Sequence, residues 1–250
     1  MARGSLCPLS MPPLRLAAFG GTDIGRRSQN EDRFTIDHFA GLYAVADGMG
    51  GYQGGALASR VAVQTLSRFF SHVGDASHAD TAIREARMDM AFRMAHHEVE
   101  KRRIGVLRQM GMTFVALRVE SDRRAAIVHV GDSRIYRLRG GRLEALTRDH
   151  SLLEELSAAG VESTRAGVHS HVLTKALGVG DPGHETQTVS LEPGDRFLLC
   201  SDGLTGVVSE RRLSSILSSA PEELVVPALI SEAWSNNARD NITAVVVTVG

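Results

Sequence analysis

The chain has 250 residues, of which 43% are apolar and 23% are charged, a balance that is typical of globular proteins and too apolar for disorder. It carries 28 basic and 29 acidic residues, so its formal net charge of −1 lacks the basic excess of a dedicated nucleic-acid binder. The length is compatible with one large domain.

The N-terminus and the cysteines predict a cytoplasmic protein. No apolar run approaches the ~20 residues of a membrane span, and prolines and Arg15 interrupt the N-terminus where a secretory signal would need an apolar core. Cys7 and Cys200 are too few for a disulfide scaffold, and the apolar run around Cys200 predicts a buried thiol. We expect a flexible leader over residues 1–15 and a single domain over 16–250.

Short β-branched runs bounded by Gly or Asp recur along the chain and predict strands. They lie at 42–46, 113–120, 125–130, 134–138, 196–200 and 242–249. The polar segment 121–124 and the pair Gly140-Gly141, which leads into a run at 142–146, form short connections. Short connections imply antiparallel pairing of consecutive strands.

Apolar residues at helical spacing predict two long helices, over 55–70 and 79–103, and two more within 209–234, separated by Pro221. The residues that recur in the second helix are Ile83, Ala86, Met90 and Met94. We expect this Met-rich face to pack in the core and not to bind a cofactor. Strands in a meander with helices before and after them predict a layered α+β architecture.

Acidic residues stand beside Gly or Asn at the ends of the predicted strands. The segments are Asp47-Gly48, Gly131-Asp132, Asp202-Gly203 and Asp240-Asn241, and a fifth, Asn30-Glu31-Asp32, precedes the first predicted strand. Each one alone is also explained as a turn, because Asp and Gly dominate turns. If the carboxylates converge, two bare charges ~4 Å apart repel by about 4 kcal/mol at an effective dielectric constant near 20, so convergence predicts a cation. Oxygen ligands without His or Cys favour Mg²⁺ or Mn²⁺ over Zn²⁺.

These motifs occur in the order in which one known family has them. The matching segments are Thr22–Gly25 with Arg27, Asn30–Asp32, Asp47–Gly51 with Ala58-Ser59, Gly131–Arg134, Leu146–Ser151, Leu173-Thr174 with Leu177-Gly178, Ser201–Leu204, and Asp240–Thr243. Through them the chain resembles a bacterial PPM-type (protein phosphatase 2C-like) metal-dependent serine/threonine protein phosphatase over roughly residues 18–249.

The resemblance implies a fold and a reaction. The fold is a four-layer α-β-β-α sandwich, in which two antiparallel sheets pack face to face with helices on both outer faces and a flap segment lies at about 150–185. The reaction is hydrolysis of phosphoserine and phosphothreonine in proteins by a metal-activated water. The resemblance also implies a signalling role opposite a Ser/Thr kinase and phosphorylated proteins as substrates. From the charge balance and the lack of a long apolar run we expect no nucleic-acid partner and no membrane span, and we expect a monomer.

The resemblance further implies two tightly bound Mn²⁺ or Mg²⁺ ions and a third, weaker one. Asp47 would bridge the two tight ions, and the carbonyl of Gly48 would contact the first of them. Asp202 and Asp240 would hold the second ion. Asp132 would bind the third.

Three other residues match family positions near the ions. Glu31 and Asp32 would hold metal-bound waters, and Arg27 would bind the phosphate of the substrate. The segment from Gly25 to Arg27 is one residue shorter than is usual in the family. Met49 stands where many eukaryotic relatives have a His that is proposed as a general acid.

Two alternatives share this resemblance. The first is a catalytically inactive relative that serves as a binding module, which the loss of a metal-binding aspartate would indicate, whereas Asp47, Asp202 and Asp240 are all present. The second is a phosphatase of the same fold that acts on anti-sigma-factor antagonists. Such relatives usually carry sensor or coiled-coil segments, and we expect none in these 250 residues.

Overall fold

Two antiparallel five-stranded sheets form the centre of the computed structural model, which describes residues 14–50, 54–76, 79–160 and 172–250. The strands are β1 (Leu16–Asp23), β2 (Arg33–Asp37), β3 (Leu42–Met49), β4 (Gly111–Val119), β5 (Arg124–Val130), β6 (Arg134–Arg139), β7 (Arg142–Ala145), β8 (Glu185–Ser190), β9 (Arg196–Cys200) and β10 (Ile242–Val249). The first sheet has the order β1-β10-β9-β6-β7, and the second has the order β2-β3-β4-β5-β8.

The helices of the described residues lie outside the two sheets. They are α1 (Gly54–His72), α2 (Thr81–Glu100), α3 (Leu152–Ala158), α4 (Asp202–Thr205), α5 (Glu210–Ser219) and α6 (Glu222–Ser235), with a 3-10 turn at Gly105–Leu107. Pro221 precedes α6 directly, as predicted. None of these helices combines the length and the apolar character that crossing a membrane requires.

Three apolar layers hold the four structural layers together. Residues such as Tyr43, Leu117 and Val245 fill the space between the two sheets. A second cluster packs α1 and α2 against the outer face of the second sheet, and a third packs α5 and α6 against the first sheet. The predicted α-β-β-α sandwich is therefore confirmed. Cys200 is fully buried with a free thiol, as the apolar run around it predicted.

The structure corrects the prediction for α2. Ile83, Met90 and Met94 are exposed by 47%, 57% and 47%, so the Met-rich face does not pack in the core. The buried residues of this helix are Arg84, Met88, Ala91, Phe92, Ala95 and Val99. Periodicity of apolar residues missed this face because a charged residue lies in it: Arg84 is buried in an ion pair with Asp122, in which Nη1 and Oδ1 are 3.1 Å apart.

Candidate active site

A cleft of about 500 Å³ opens at one end of the sandwich. Seven of the eight predicted site residues line it: Arg27, Glu31, Asp47, Gly48, Asp132, Asp202 and Asp240. The eighth, Asp32, is completely buried. The structure thus brings together residues that are separated by more than 200 positions in the sequence, although their individual roles remain predictions.

Strand ends place these side chains. Asp47 and Gly48 lie near the end of β3, where they are still paired with β4. Asp202 follows the end of β9 after one intervening residue. Asp240 lies two residues before β10, which pairs with β9, and Asp132 lies two residues after β5. Because rigid paired strands carry these carboxylates, the site is positioned by the fold and not by flexible loops alone.

Glycines allow the backbone to approach closely at two points of the site. Gly25 has φ +59°, and a side chain there would collide with the carbonyl oxygen of Asp240. A side chain on Gly48 would collide with the backbone of Gly55 in the first turn of α1. These contacts explain why small residues occur there, since any Cβ would push apart segments that line the cleft.

Burial and neighbouring negative charges raise the pKa of Asp47 and Asp132 in the cleft. The pKa of Asp47 lies well above its ordinary value, first because of burial and then because of the negative charges of Asp32, Asp202, Asp132 and Asp240. Burial and the charge of Asp202 raise the pKa of Asp132 to about 7. Mutual repulsion of this kind is what a bound cation relieves.

Glu31 and Asp32 differ in their access to the cleft. Glu31 lines the cleft, and burial raises its pKa while Arg27 lowers it. Asp32 lies beneath the surface, where burial raises its pKa to about 6. Its Oδ2 accepts hydrogen bonds from Thr243 Oγ1 at 2.6 Å and Ser201 Oγ at 2.8 Å.

Arg27 and Arg26 point to different partners. Arg27 lines the cleft, and its Nη2 donates to Asp240 Oδ2 at 2.6 Å. Arg26 Nη2 instead donates to Asn237 Oδ1 at 3.2 Å. The register assumed for the shortened loop after Gly25 therefore puts the expected arginine in the cleft. The contact with Asp240 was not predicted, since the resemblance implied a contact with phosphate alone.

Asn241 fixes the loop that carries Arg27, a role that the sequence motif did not reveal. Its Oδ1 accepts from the backbone N–H of Glu31 at 2.8 Å, and its Nδ2 donates to the carbonyls of Ile24 and Gln29 at 2.8 and 2.9 Å. One buried amide thus holds three backbone groups of the loop. Its position beside Asp240 was the only available signal.

A second cluster of metal-ligating side chains lies outside the cleft, where His129, His150 and Glu185 approach within 4.8 Å. His150 Nδ1 accepts from the N–H of Gly131 at 3.2 Å, which leaves its proton on Nε2, facing Glu185 Oε1 at 3.3 Å. A metal at Nε2 would need this proton removed and a proton on Nδ1, opposed to the N–H of Gly131. The cluster is therefore better suited to hydrogen bonding than to zinc.

The base of the predicted flap is attached close to this cluster. The backbone N–H of His150 donates to the carbonyl of Gly131 at 2.8 Å, and Thr174 N–H donates to the carbonyl of His150 at 2.9 Å. Leu173 lines the cleft. Within the predicted flap at 150–185, residues 161–171 lie outside the described part of the chain.

The residues of the cleft fit a pair of Mn²⁺ or Mg²⁺ ions. The polar lining residues that the structure describes carry mainly carboxylate, amide and hydroxyl oxygens, the kind of donor that such ions prefer, and no His or Cys is among them. Five acids line the cleft and Asp32 lies beneath them, whereas Arg27 is the one cation among the described lining residues. Burial and the negative charges of the neighbouring acids raise the pKa of Asp47, and a bound cation would favour its charged form.

Comparison with known proteins identifies the family. Residues 20–229 match the protein phosphatase 2C family. The chain is 36% identical to the serine/threonine phosphatase Stp of Listeria monocytogenes over 242 residues, which cover 90% of this chain and 93% of the relative. It is 33% identical to the protein phosphatase PhpP of Streptococcus pneumoniae over 248 residues, which cover 91% and 95%.

Solved structures agree with this result. The catalytic domain of the serine/threonine protein phosphatase PstP in complex with two manganese ions superposes with a TM-score of 0.82 at 31% identity, covering 95% of this chain and 98% of that one. A phosphatase from S. agalactiae gives 0.86 at 29% identity, covering 94% and 100%. The chain therefore belongs to the protein phosphatase 2C family and is a bacterial PPM-type, metal-dependent protein serine/threonine phosphatase.

Proposed function

We propose that the cleft is the catalytic centre and that its residues have the roles that the family resemblance implies. Asp47 and the carbonyl of Gly48 hold the first ion, and Asp47, Asp202 and Asp240 hold the second. Asp132 holds a third, weaker ion. The observation that carries this proposal is the convergence of these carboxylates in one cleft with strongly raised pKa values at Asp47 and Asp132.

The bound ions would supply Lewis acidity, which lowers the pKa of water and neutralises charge on the phosphoryl group. The protein supplies the rest of the site. Arg27 Nη2 gives one of its two N–H groups to Asp240, so its second N–H remains to grip phosphate oxygens as a planar fork together with Nη1 or Nε. Glu31 accepts hydrogen bonds from water at the wall of the cleft. Asp32 has the same role from its buried position beneath the cleft. Met49 lines the cleft and cannot donate a proton.

We further propose that residues 16–250 form one catalytic domain with a flap at about 150–185, and that it acts in the cytoplasm as a monomer in signalling. Its partners are phosphorylated proteins and a cognate Ser/Thr kinase that it opposes. A relative supports a regulatory role: PppA of Pseudomonas aeruginosa, with a TM-score of 0.80 and 34% identity over 95% of this chain and 98% of that one, is described as a key regulatory component of a T6SS. Either Mn²⁺ or Mg²⁺ suits the oxygen donors.

The test is release of phosphate from a phosphothreonine peptide and from p-nitrophenyl phosphate. We expect turnover with Mn²⁺, weaker or equal turnover with Mg²⁺, and loss of turnover in EDTA that Mn²⁺ restores. Asp47→Asn should abolish turnover, whereas Asp80→Asn, the same charge change at an exposed position beside α2, should keep it. Full activity in EDTA would contradict the metal mechanism, and an inactive wild type that still binds Mn²⁺ would favour a binding module.

A further inference from the structure

Hydrogen bonds join Thr22, an exposed residue of the first sheet, to buried Asp32. Thr22 of β1 is paired with Thr243 of β10, and their Oγ1 atoms are 2.7 Å apart. Asn30 Nδ2 donates to Thr22 Oγ1 at 2.8 Å, and Thr243 Oγ1 lies 2.6 Å from Asp32 Oδ2. The three residues Asn30, Thr22 and Thr243, here called the hydroxyl relay, therefore end on a carboxylate with no exposed surface.

The direction of each hydrogen bond follows from its partners. Asn30 Oδ1 accepts from the backbone N–H of Asp32 at 3.0 Å, so the amide nitrogen of Asn30 faces Thr22. An amide nitrogen only donates, so Thr22 accepts there. Because the one hydroxyl proton of Thr243 goes to Asp32, the proton between the two threonines comes from Thr22. Thr243 in turn gives its single proton to Asp32 Oδ2. Every donor of the relay points toward the carboxylate.

A second hydroxyl group, that of Ser201, also donates to Asp32 Oδ2 and so helps to fix the orientation of the carboxyl group. Ser201 Oγ accepts from the backbone N–H of Thr243 at 3.0 Å and donates to Asp32 Oδ2 at 2.8 Å. Two hydroxyl donors saturate Oδ2, whereas Oδ1 is buried without a hydrogen-bond partner among the described residues. The negative charge of Asp32 also acts on Asp47 more strongly than that of any other acid of the site.

We propose that Thr243 is a positioning residue of the phosphatase, and that the hydroxyl relay fixes the carboxyl group of Asp32 so that Oδ1 serves the catalytic cleft. This inference rests on the proposed function, because it assigns Asp32 a part in the chemistry of the cleft. The relay reaches across the gap between the sheets: Asp32 immediately precedes β2 of the second sheet, whereas Thr22 and Thr243 belong to the first.

Two substitutions of Thr243 separate the hydroxyl group from the shape of the side chain. Thr243→Val keeps the shape and removes the donor, so kcat for p-nitrophenyl phosphate in Mn²⁺ should fall about tenfold or more with KM within about twofold of wild type. Thr243→Ser keeps the donor and should stay within about threefold of wild-type kcat. Thr248→Val, on the same strand outside the relay, is the matched control. Wild-type kcat in Thr243→Val, or an equal loss in Thr243→Ser, would overturn the proposal.

A double variant tests whether the relay acts in series. Among the described hydrogen bonds, Thr22 reaches the carboxylate of Asp32 only through Thr243, since Asn30 contacts the backbone N–H of Asp32 instead. Thr22→Val should therefore lower kcat in the wild type but should add no loss to Thr243→Val. Independent structural effects would instead multiply. If Thr243→Val does not fold, as its melting temperature would show, the comparison of Thr22→Val with Thr22→Ser decides by the same criterion, with equal kcat values overturning the proposal.

Calorimetric titration with Mn²⁺ adds a measurement that does not depend on turnover. We expect Thr243→Val to bind Mn²⁺ at least about threefold more weakly than wild type and Thr243→Ser to match it, because only the first loses the charge-assisted bond that orients Asp32. Equal affinities of both variants and wild type would count against the proposal. A wild type without turnover or Mn²⁺ binding would instead contradict the proposed function itself.

Discussion

Arg27 has two possible partners in the cleft, the carboxylate of Asp240 and the phosphate of a substrate. The Arg27 side chain is 60% exposed, and an exposed ion pair contributes about 0–1 kcal/mol, so the contact with Asp240 orients the guanidinium without trapping it. Arg26 is held by Asn237 away from the lining of the cleft. Arg26 is therefore a matched control position for substitutions of Arg27.

Arg27→Ala should raise KM for a phosphothreonine peptide about tenfold or more, since a charge-assisted hydrogen bond contributes roughly 1.5–3 kcal/mol. Its effect on Mn²⁺ affinity should stay within about fivefold, because the lost contact with Asp240 is solvent-exposed. Steady-state kinetics and calorimetry measure the two effects. Arg26→Ala is the control, and a larger KM effect there than at Arg27 would show that the register of the loop is wrong.

Asp132 should behave differently from Asp47, although both line the same cleft. Asp47→Asn should lower kcat by at least ~10³, because it removes the charge proposed to bridge two ions. Asp132→Ala should keep both tight Mn²⁺ sites and lower kcat by only about tenfold, since the third ion alone is affected. Counting the ions by calorimetry decides: loss of both tight sites in Asp132→Ala would refute the assignment.

The acids that line the cleft could be predicted from the sequence, because each aspartate stands beside Gly or Asn in a recognisable motif. The residues that support them could not. Asn241, Ser201 and Thr243 act through hydrogen bonds to positions 31 and 32, which are distant in sequence. Such partners are defined by the meeting of the two sheets, and no local pattern of residues encodes that meeting.

At the level of elements, the predicted strands at 196–200 and 242–249 match β9 and β10 residue for residue. Three further strands were not predicted. β1 contains two adjacent glycines, β2 has five residues, and β8 is polar and half exposed. These strands lie at the edges of their sheets, where fewer side chains are buried on both faces, so hydrophobic alternation gives a weak signal.

The buried ion pair that anchors α2 allows a prediction of the change in the free energy of unfolding. Arg84 is 1% exposed, donates to both carboxylate oxygens of Asp122 and also bonds the carbonyl of Ala79. Arg84→Met should lower the free energy of unfolding by about 2–3 kcal/mol, less than the 3–5 kcal/mol of a fully buried pair because Asp122 is 24% exposed. Urea denaturation measures this change.

The same helix provides the control for that measurement. Arg93 forms an i,i+4 pair with Asp89 at 2.9 Å, but its side chain is 64% exposed. Arg93→Met should therefore cost less than about 0.5 kcal/mol. Equal losses for the two variants would mean that the burial of Arg84 does not stabilise the packing of α2 on the sheet.

Over the whole molecule the charges nearly cancel, at a formal net charge of −1, yet six acids gather at one end of the sandwich. The fold brings these acids together at a cost in stability that bound divalent ions offset. Since each pKa unit corresponds to about 1.4 kcal/mol, the shift of Asp132 alone represents a few kcal/mol. Stability, metal binding and pH are therefore linked in this protein.

The metal-free protein should show this link in its melting temperature. Asp132 has a pKa of about 7 in the folded state, against an ordinary value of 3.8. Between these values the folded state keeps a proton that the unfolded state releases, so stability falls as the pH rises through this range, and the loss is complete above pH 7. Asp132→Asn cannot ionise. In EDTA, the melting temperature of Asp132→Asn should be only slightly higher than that of wild type near pH 4. The difference should increase up to pH 7 and stay constant above it.

The comparison of the two proteins at each pH removes other titrating groups from the result. His129, whose pKa burial lowers to about 4, makes stability rise with pH over part of the same range, but it contributes equally to both proteins. Saturating Mn²⁺ should raise the wild-type melting temperature more at pH 8 than at pH 5.5, because ions bind the deprotonated carboxylates and protons compete with them. A difference between the two proteins that is independent of pH would show that Asp132 has an ordinary pKa, so that neither its burial nor the charge of Asp202 opposes its ionisation.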